Sequence, residues 1–316
     1  MRCVPVSCAD VDMKPFGSKS QNVVLPFGTE REFASGSPPR SVPTSGRIPT
    51  MDLTNRRGII TGAGQGIGQA LALEFAAKGA HLLLVGRTEA TLQKTADLVK
   101  EAGGTSDILV QDLGQADGAQ NVADAVKSWD TIDLLVNNAG NVRAGRLEES
   151  TAAEATAMID LNLTAPVLLT QALLPQLRTS GAANGSLILN ISSEIALVAM
   201  PFYAVYAATK SGLAAFGEAM RRELHGTGVH VATVYPGATD TEMMSSQNAD
   251  WTRRPVSDVV AQVMTGLASD EHEINASAPD GRGMQELNAS NPLAVDAAMA
   301  PGLADMEAAV KDHNSI

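Results

Sequence analysis

The chain has 316 residues, 44% apolar and 18% charged, enough for one large α/β domain with a sizeable core. Its net charge of −12 argues against nucleic acid or an anionic membrane surface as a partner, and without a run of about 18 apolar residues no transmembrane helix is expected. Both cysteines, Cys3 and Cys8, precede the folded region, so the core has no disulfide framework or cysteine metal site, which suits the reducing cytoplasm.

Residues 1–50 read as an extension. They hold seven of the fifteen prolines, seven serines and four glycines, with no sustained helical or strand period. That composition cannot repay the entropy of ordering, and disorder is expected. A secretory signal's basic start, apolar stretch and small-residue cleavage site are missing. The extension carries +2, leaving −14 on the other 266 residues. Met51 is followed at once by D-L-T-N-R-R-G-I-I-T-G and is the expected natural start. The alternative is a genuine targeting or regulatory tail, and mass spectrometry of the natural N-terminus separates the two.

From residue 57 short apolar runs alternate with longer amphipathic stretches. The first strand, 58–61, runs into T-G-A-G-Q-G-I-G (61–68), and a helix over 67–78 follows. Glycines there allow positive φ and let backbone N–H groups approach a pyrophosphate at the helix N-terminus. The spacing is T-G-x-x-x-G-x-G, formed by Thr61, Gly62, Gly66 and Gly68, with Ile67 between the last two. The second strand, 81–85, ends L-V-G-R. An NAD site would place an acid at this strand end for the ribose 2′-hydroxyl. Gly86 removes that acid and Arg87 supplies a cation suited to a 2′-phosphate, so NADP(H) is favoured over NAD(H). The plainer role for Arg87 is to solvate the helix expected over 89–101.

Further strands are expected over 108–110, 132–136, 186–191 and 229–234, with a helix over 203–224. Strands apolar almost throughout, each followed by a helix, indicate a parallel sheet covered on both faces. The fold class is therefore α/β, a single Rossmann-like, doubly wound domain over 51–275, with a helical tail over 276–316. On the 203–224 helix, Tyr206 and Lys210 lie four residues apart and point the same way. An ammonium beside a phenol stabilises phenolate and draws its pKa down. Ser193, thirteen residues before Tyr206, can hold a substrate oxygen at the same place. Tyr203 has Ala207 four residues on and lacks a lysine partner, while Ser192 faces the other way from Ser193. The set describes hydride and proton transfer to a carbonyl, or the reverse.

T-G-A-G-Q-G-I-G (61–68), N-N-A-G (137–140), Asn162, I-S-S (191–193), Y-A-A-T-K (206–210) and P-G-A-T-D-T (236–241) together resemble the short-chain dehydrogenase/reductase family, in its simple single-domain branch. The resemblance implies that Tyr206 is the general acid, and the base in the oxidative direction. It implies that Lys210 lowers the Tyr206 pKa and binds the nicotinamide ribose, and that Ser193 hydrogen-bonds the substrate oxygen. Asn162 would act through a water-linked proton path to Lys210. Asn138, Ala139 and Gly140 would line the adenosine ribose side, and Asp112 the adenine edge, unless Asp112 only caps the helix near Gln115. Pro236, Gly237, Thr239 and Thr241 would hold the nicotinamide carboxamide.

The loop 242–255 carries Met243, Met244 and Trp251, an expected apolar lid facing Phe202 and Tyr203 across the substrate, a small carbonyl compound or alcohol. Glu194 adds an acidic spot that disfavours anionic substrates. His81, His225, His230, His272 and His313 show no ligand spacing, are read as structural or exposed, and no metal is expected. The D-G-G ending common in the family is absent; H-E-I-N-A-S (272–277) and an acidic helix near 302–312 stand instead. This puts the usual tetramer contact in doubt and leaves a dimer through the helices around 150–178 and 203–224, with the tail free to cover its own or a neighbour's pocket. Two competing classes are a non-catalytic NADPH sensor and an epimerase or dehydratase with permanently bound nucleotide.

Overall fold

The structure, a computed structural model, describes residues 53–245 and 253–316. The extension 1–50, the expected start at Met51 and the lid residue Trp251 lie outside them. Among the described residues seven parallel strands form one sheet: β1 (Arg57–Thr61), β2 (His81–Gly86), β3 (Thr105–Val110), β4 (Leu134–Asn137), β5 (Ser186–Ile191), β6 (Val229–Pro236) and β7 (Glu273–Ala276), in the order β3-β2-β1-β4-β5-β6-β7. The expected α/β, doubly wound sheet is present, with β3 starting three residues earlier than its short apolar run suggested.

Neighbouring residues of each strand serve opposite faces. Ile60, Leu84, Val136, Leu189 and Val234 pack with α1 (Gly66–Ala77), α2 (Glu89–Glu101) and α7 (Val256–Ala268). Ile59, Val85, Leu135, Ile188 and Val231 pack on the other side with α3 (Gly118–Ala125) and α5 (Ala165–Asn184). Covering both faces is why β1, β2, β4, β5 and β6 are apolar nearly throughout, and each fully buried Ile or Leu stabilises by roughly 1.5–3 kcal/mol.

Between β4 and α5, Thr151 and Glu154 form a capping box that starts α4 (Ala152–Ile159), and a π-helical turn over Asp160–Thr164 joins α4 to α5. The resulting stretch Ala152–Asn184 is long and apolar enough to cross a membrane by length and composition. Its apolar face is spent inside the fold: Leu169, Leu173 and Leu177 are at most 1% exposed against the sheet and α3.

After β5 come α6 (Ala204–Glu223), β6, α7 and β7, then three helices where the sequence suggested one: α8 (Pro279–Ser290), α9 (Pro292–Met299) and α10 (Leu303–Val310). Prolines at the first positions of α8 and α9 divide this Gly/Pro-bearing stretch into separate helices. Asn288 of α8 donates to the Leu197 carbonyl at 3.0 Å. A third apolar cluster, containing Val142, Ala144, Ile195, Tyr203 and Val310, joins the end of the chain to the carboxyl edge of the sheet.

Candidate active site

In an open parallel sheet ligands gather outside the carboxyl ends of the strands, where the strand order reverses. Here that point lies between β1 and β4, and one cavity of about 430 Å³ runs along it. One end is lined by Gly62, Gly66, Ile67, Arg87 and Asp112, the middle by Asn138, Ala139 and Gly140, and the other end by Ser193, Tyr206, Lys210, Pro236, Gly237, Thr239 and Thr241. Residues from distant positions meet because each follows a strand.

Gly62 and Gly66 sit at φ +64° and +55°, which bends the chain from β1 into α1. Three expected residues lie beneath this surface rather than on it. Thr61 accepts hydrogen bonds from the backbone N–H of Asn138 at 2.9 Å and of Ala139 at 3.0 Å. A Cβ on Gly68 would come within 2.3 Å of the Gly62 carbonyl, so glycine lets α1 pack on the turn. Asn138 closes the arrangement by donating to the carbonyls of Thr61 (2.9 Å) and Gly62 (3.1 Å).

The third buried residue is Asn162, 0% exposed in the π-helical turn. Its amide pairs with the backbone of Asn141, accepting at 2.8 Å and donating at 2.9 Å. Asn162 Oδ1 and Lys210 Nζ both lie against Gly140, 3.0 and 3.4 Å from where a Cβ would sit.

The chemistry-bearing end is built from β5 and α6. Lys210 Nζ donates to the Ile191 carbonyl at 2.9 Å and lies 5.8 Å from the Tyr206 ring centroid. The Ser193 hydroxyl accepts from Ile195 N–H at 3.3 Å and lines the cavity beside the Tyr206 phenol, close enough to influence its pKa. Desolvation in the cavity pushes that phenol up to about 12; Ser193 pulls the other way and the nearby Glu194 carboxylate adds to the rise. Burial pushes the Lys210 ammonium down to about 8. The lowering of the Tyr206 pKa expected from Lys210 is not among the influences on the phenol here: desolvation dominates, and Ser193 is what pulls it down.

On the substrate side Glu194, Tyr203, Met243 and Met244 line the cavity, and Glu194 lies against Gly237. Phe202 does not line it. Its backbone takes φ +68°, its carbonyl accepts from Gly145 N–H at 2.8 Å, and its side chain packs against the cluster around Val310; Met200 faces the cavity instead. Asp112 both lines the cavity and caps its own turn, accepting from Gly114 N–H at 3.0 Å. Sequence reasoning missed His313, which is 3% exposed and also lines the cavity. His230 and His272, read from the sequence as structural or exposed, stack at 4.3 Å because β6 and β7 pair side by side.

A nicotinamide dinucleotide fits these residues. The N-terminus of α1 faces the cavity with no side-chain cap and no acid in its first turn, leaving backbone N–H groups for an anionic pyrophosphate. Arg87 is exposed on the rim of the same end. Among the described residues no group of three or more His, Cys, Asp or Glu could hold a metal ion.

Comparison with known proteins places these features in context. Residues 57–252 match the family model for short chain dehydrogenases. The chain is 33% identical over 184 residues to an uncharacterized oxidoreductase of Thermotoga maritima, covering 58% of this chain and 72% of that one. It is 36% identical over 188 residues to 11-beta-hydroxysteroid dehydrogenase 1A of Arabidopsis thaliana, covering 58% of this chain but only 52% of that relative. Among solved structures, a short-chain dehydrogenase from Sphingobium yanoikuyae in complex with NADPH superposes with a TM-score of 0.67 at 29% identity, covering 76% of this chain and 96% of that one. The bulky-bulky ketone specific alcohol dehydrogenase from Comamonas testosteroni gives 0.66 at 26% identity, with 76% and 94% covered.

Proposed function

The chain belongs to the short-chain dehydrogenase family, and from that premise we propose that it is an NADP(H)-dependent oxidoreductase interconverting a ketone or aldehyde and the corresponding alcohol. The observation that carries this reading is the meeting of Ser193, Tyr206 and Lys210 at one end of a cavity whose other end is the glycine turn and Arg87. A bound nicotinamide dinucleotide supplies a hydride to the carbonyl carbon, or accepts one from the alcohol carbon.

The chain's own residues handle the oxygen and its proton. The Ser193 hydroxyl holds the substrate oxygen beside the Tyr206 phenol, fixing its distance and polarising it. Tyr206 gives its proton to that oxygen in reduction. A phenol held at about 12 stays protonated at neutral pH, ready as an acid. The phenolate it leaves is met by the Lys210 ammonium, still mostly charged at pH 7 with a pKa of about 8. In oxidation the same path runs backwards and is favoured by higher pH.

Arg87, with no protein partner among the described residues, is assigned to a 2′-phosphate, which makes NADP(H) the preferred nucleotide. The apolar lining from Met200, Met243 and Met244 supports an uncharged organic substrate, and Glu194 disfavours an anionic one. Exposed Ile159 and Leu168, at 43% and 40%, support a homodimer through the α4–α5 face. The test is NADPH oxidation against a panel of ketones, aldehydes and quinones. Turnover is expected. Tight NADPH binding with no turnover of any member would replace this reading by a sensor.

A further inference from the structure

The end of the chain is part of the site. After α10 residues 313–315 run antiparallel to 142–144, the segment that follows β4, bridging Arg143 to Asn314. Ala144 N–H donates to the His313 carbonyl at 3.0 Å, and Ser315 N–H to the Val142 carbonyl at 2.9 Å. In return Val142 N–H donates to the Ser315 hydroxyl at 3.0 Å. Arg146 and Glu307 form a two-pronged ion pair (2.5 and 2.6 Å) that holds α10 to the same segment, and Val310 is fully buried beneath it. This is a built strap.

One side chain of the strap reaches the cavity. His313 Nε2 lies 3.0 Å from the Met243 carbonyl, and its Nδ1 lies 2.8 Å from the Tyr203 hydroxyl. A carbonyl only accepts, so Nε2 carries the proton and Nδ1 accepts from the Tyr203 O–H. Burial lowers the His313 pKa and so favours this neutral form. The imidazole therefore joins three parts of the chain: the strap, the tyrosine before α6, and the methionine loop after β6. The Tyr203 ring neighbours both the imidazole and the Tyr206 ring, with centroid distances of 5.7 and 6.3 Å.

We infer that His313 is a specificity-determining residue: its imidazole is the far wall of the substrate end of the cavity and sets the size of carbonyl substrate admitted. This rests on the oxidoreductase reading given above. The wall formed by His313, Tyr203 and Met243 would limit the arm of a neutral ketone that lies against it. Removing the ring while leaving Tyr206, Ser193 and the glycine turn intact enlarges the pocket without touching the reacting groups.

The experiment compares kcat/KM for acetophenone and benzophenone in the wild type, His313→Ala and His313→Gln, with Tyr206→Phe alongside. A glutamine can still accept from Tyr203 and donate to the Met243 carbonyl. The same two ketones are titrated by saturation-transfer NMR on the NADPH-loaded proteins, so that the size preference is read from binding as well as turnover. His313→Ala is expected to raise the benzophenone-to-acetophenone ratio about tenfold or more, and His313→Gln to stay within about threefold of wild type. NADPH affinity, unchanged in both variants, shows that they are folded. An unchanged ratio in His313→Ala, with the wild type active and Tyr206→Phe dead, overturns the role of His313 alone. If no ketone is turned over, the oxidoreductase reading fails for this class, and the binding ratio still decides whether His313 walls the cavity.

Discussion

Ser192 and Ser193 are neighbours at the end of β5 and serve opposite elements. The Ser192 hydroxyl donates to the Lys210 carbonyl at 2.8 Å, tying the strand end to α6, while Ser193 lines the cavity with Tyr206 and draws the phenol's pKa down. Alternation along an extended chain turns one toward packing and the other toward chemistry. Ser192→Ala is expected to cost about 1–2 kcal/mol of stability and leave turnover nearly intact. Ser193→Ala should lower kcat by about 10²-fold with little change in stability. Urea unfolding and steady-state rates on the two variants check the division.

The buried lysine predicts a pH dependence. Lys210 is depressed to about 8, so its positive charge is lost as pH rises through that value in the free protein. The reductive kcat/KM should therefore fall above about pH 8, and Lys210→Met should remove that limb together with most of the activity. Stability moves the other way. Below the folded pKa both states are protonated and the full cost of burying the charge is present; between about 8 and the ordinary lysine value of 10.5 the unfolded state binds more protons, so this group makes stability rise with pH. A pH–rate profile and a pH series of thermal melts on wild type and Lys210→Met test both statements.

Arg87 predicts a cofactor preference. Arg87→Ala is expected to weaken NADPH binding about tenfold or more and to leave NADH within about twofold, since only the phosphorylated ribose offers the guanidinium a charged partner. Equal losses for both nucleotides would assign Arg87 to solvating α2. Dissociation constants from fluorescence titration provide the measure.

Asn162 is expected to act first through structure. Replacing it with Ala would leave the N–H and carbonyl of Asn141 buried without their partners, at a cost of about 2–4 kcal/mol. A loss of activity without that loss of stability would point to a direct part in proton transfer.

Much of this arrangement was legible in the sequence, and the illegible parts share a cause. The glycine turn, the β5 serines and the Tyr206–Lys210 pair are local: each is a strand end or one helix face, and its meaning follows from spacing. The strap is not local. His313 meets Tyr203 across 110 positions, and Ser315 meets Val142 across 173, with no period or motif to announce either. Phe202 was misread because the turn before α6 needs a left-handed backbone there, which sends its ring toward Val310 instead of the cavity. The pairing of His230 with His272 depends on β7 lying beside β6, a consequence of sheet order and not of sequence distance.

The central claim is that Tyr206 delivers the proton as hydride arrives at the carbonyl. It is tested most directly by single-turnover consumption of bound NADPH in wild type and Tyr206→Phe, using a ketone the wild type reduces, with NADPH affinity measured on both. A rate at least about 10³-fold lower in the variant at unchanged NADPH affinity is predicted. A variant that consumes NADPH at the wild-type rate would contradict it.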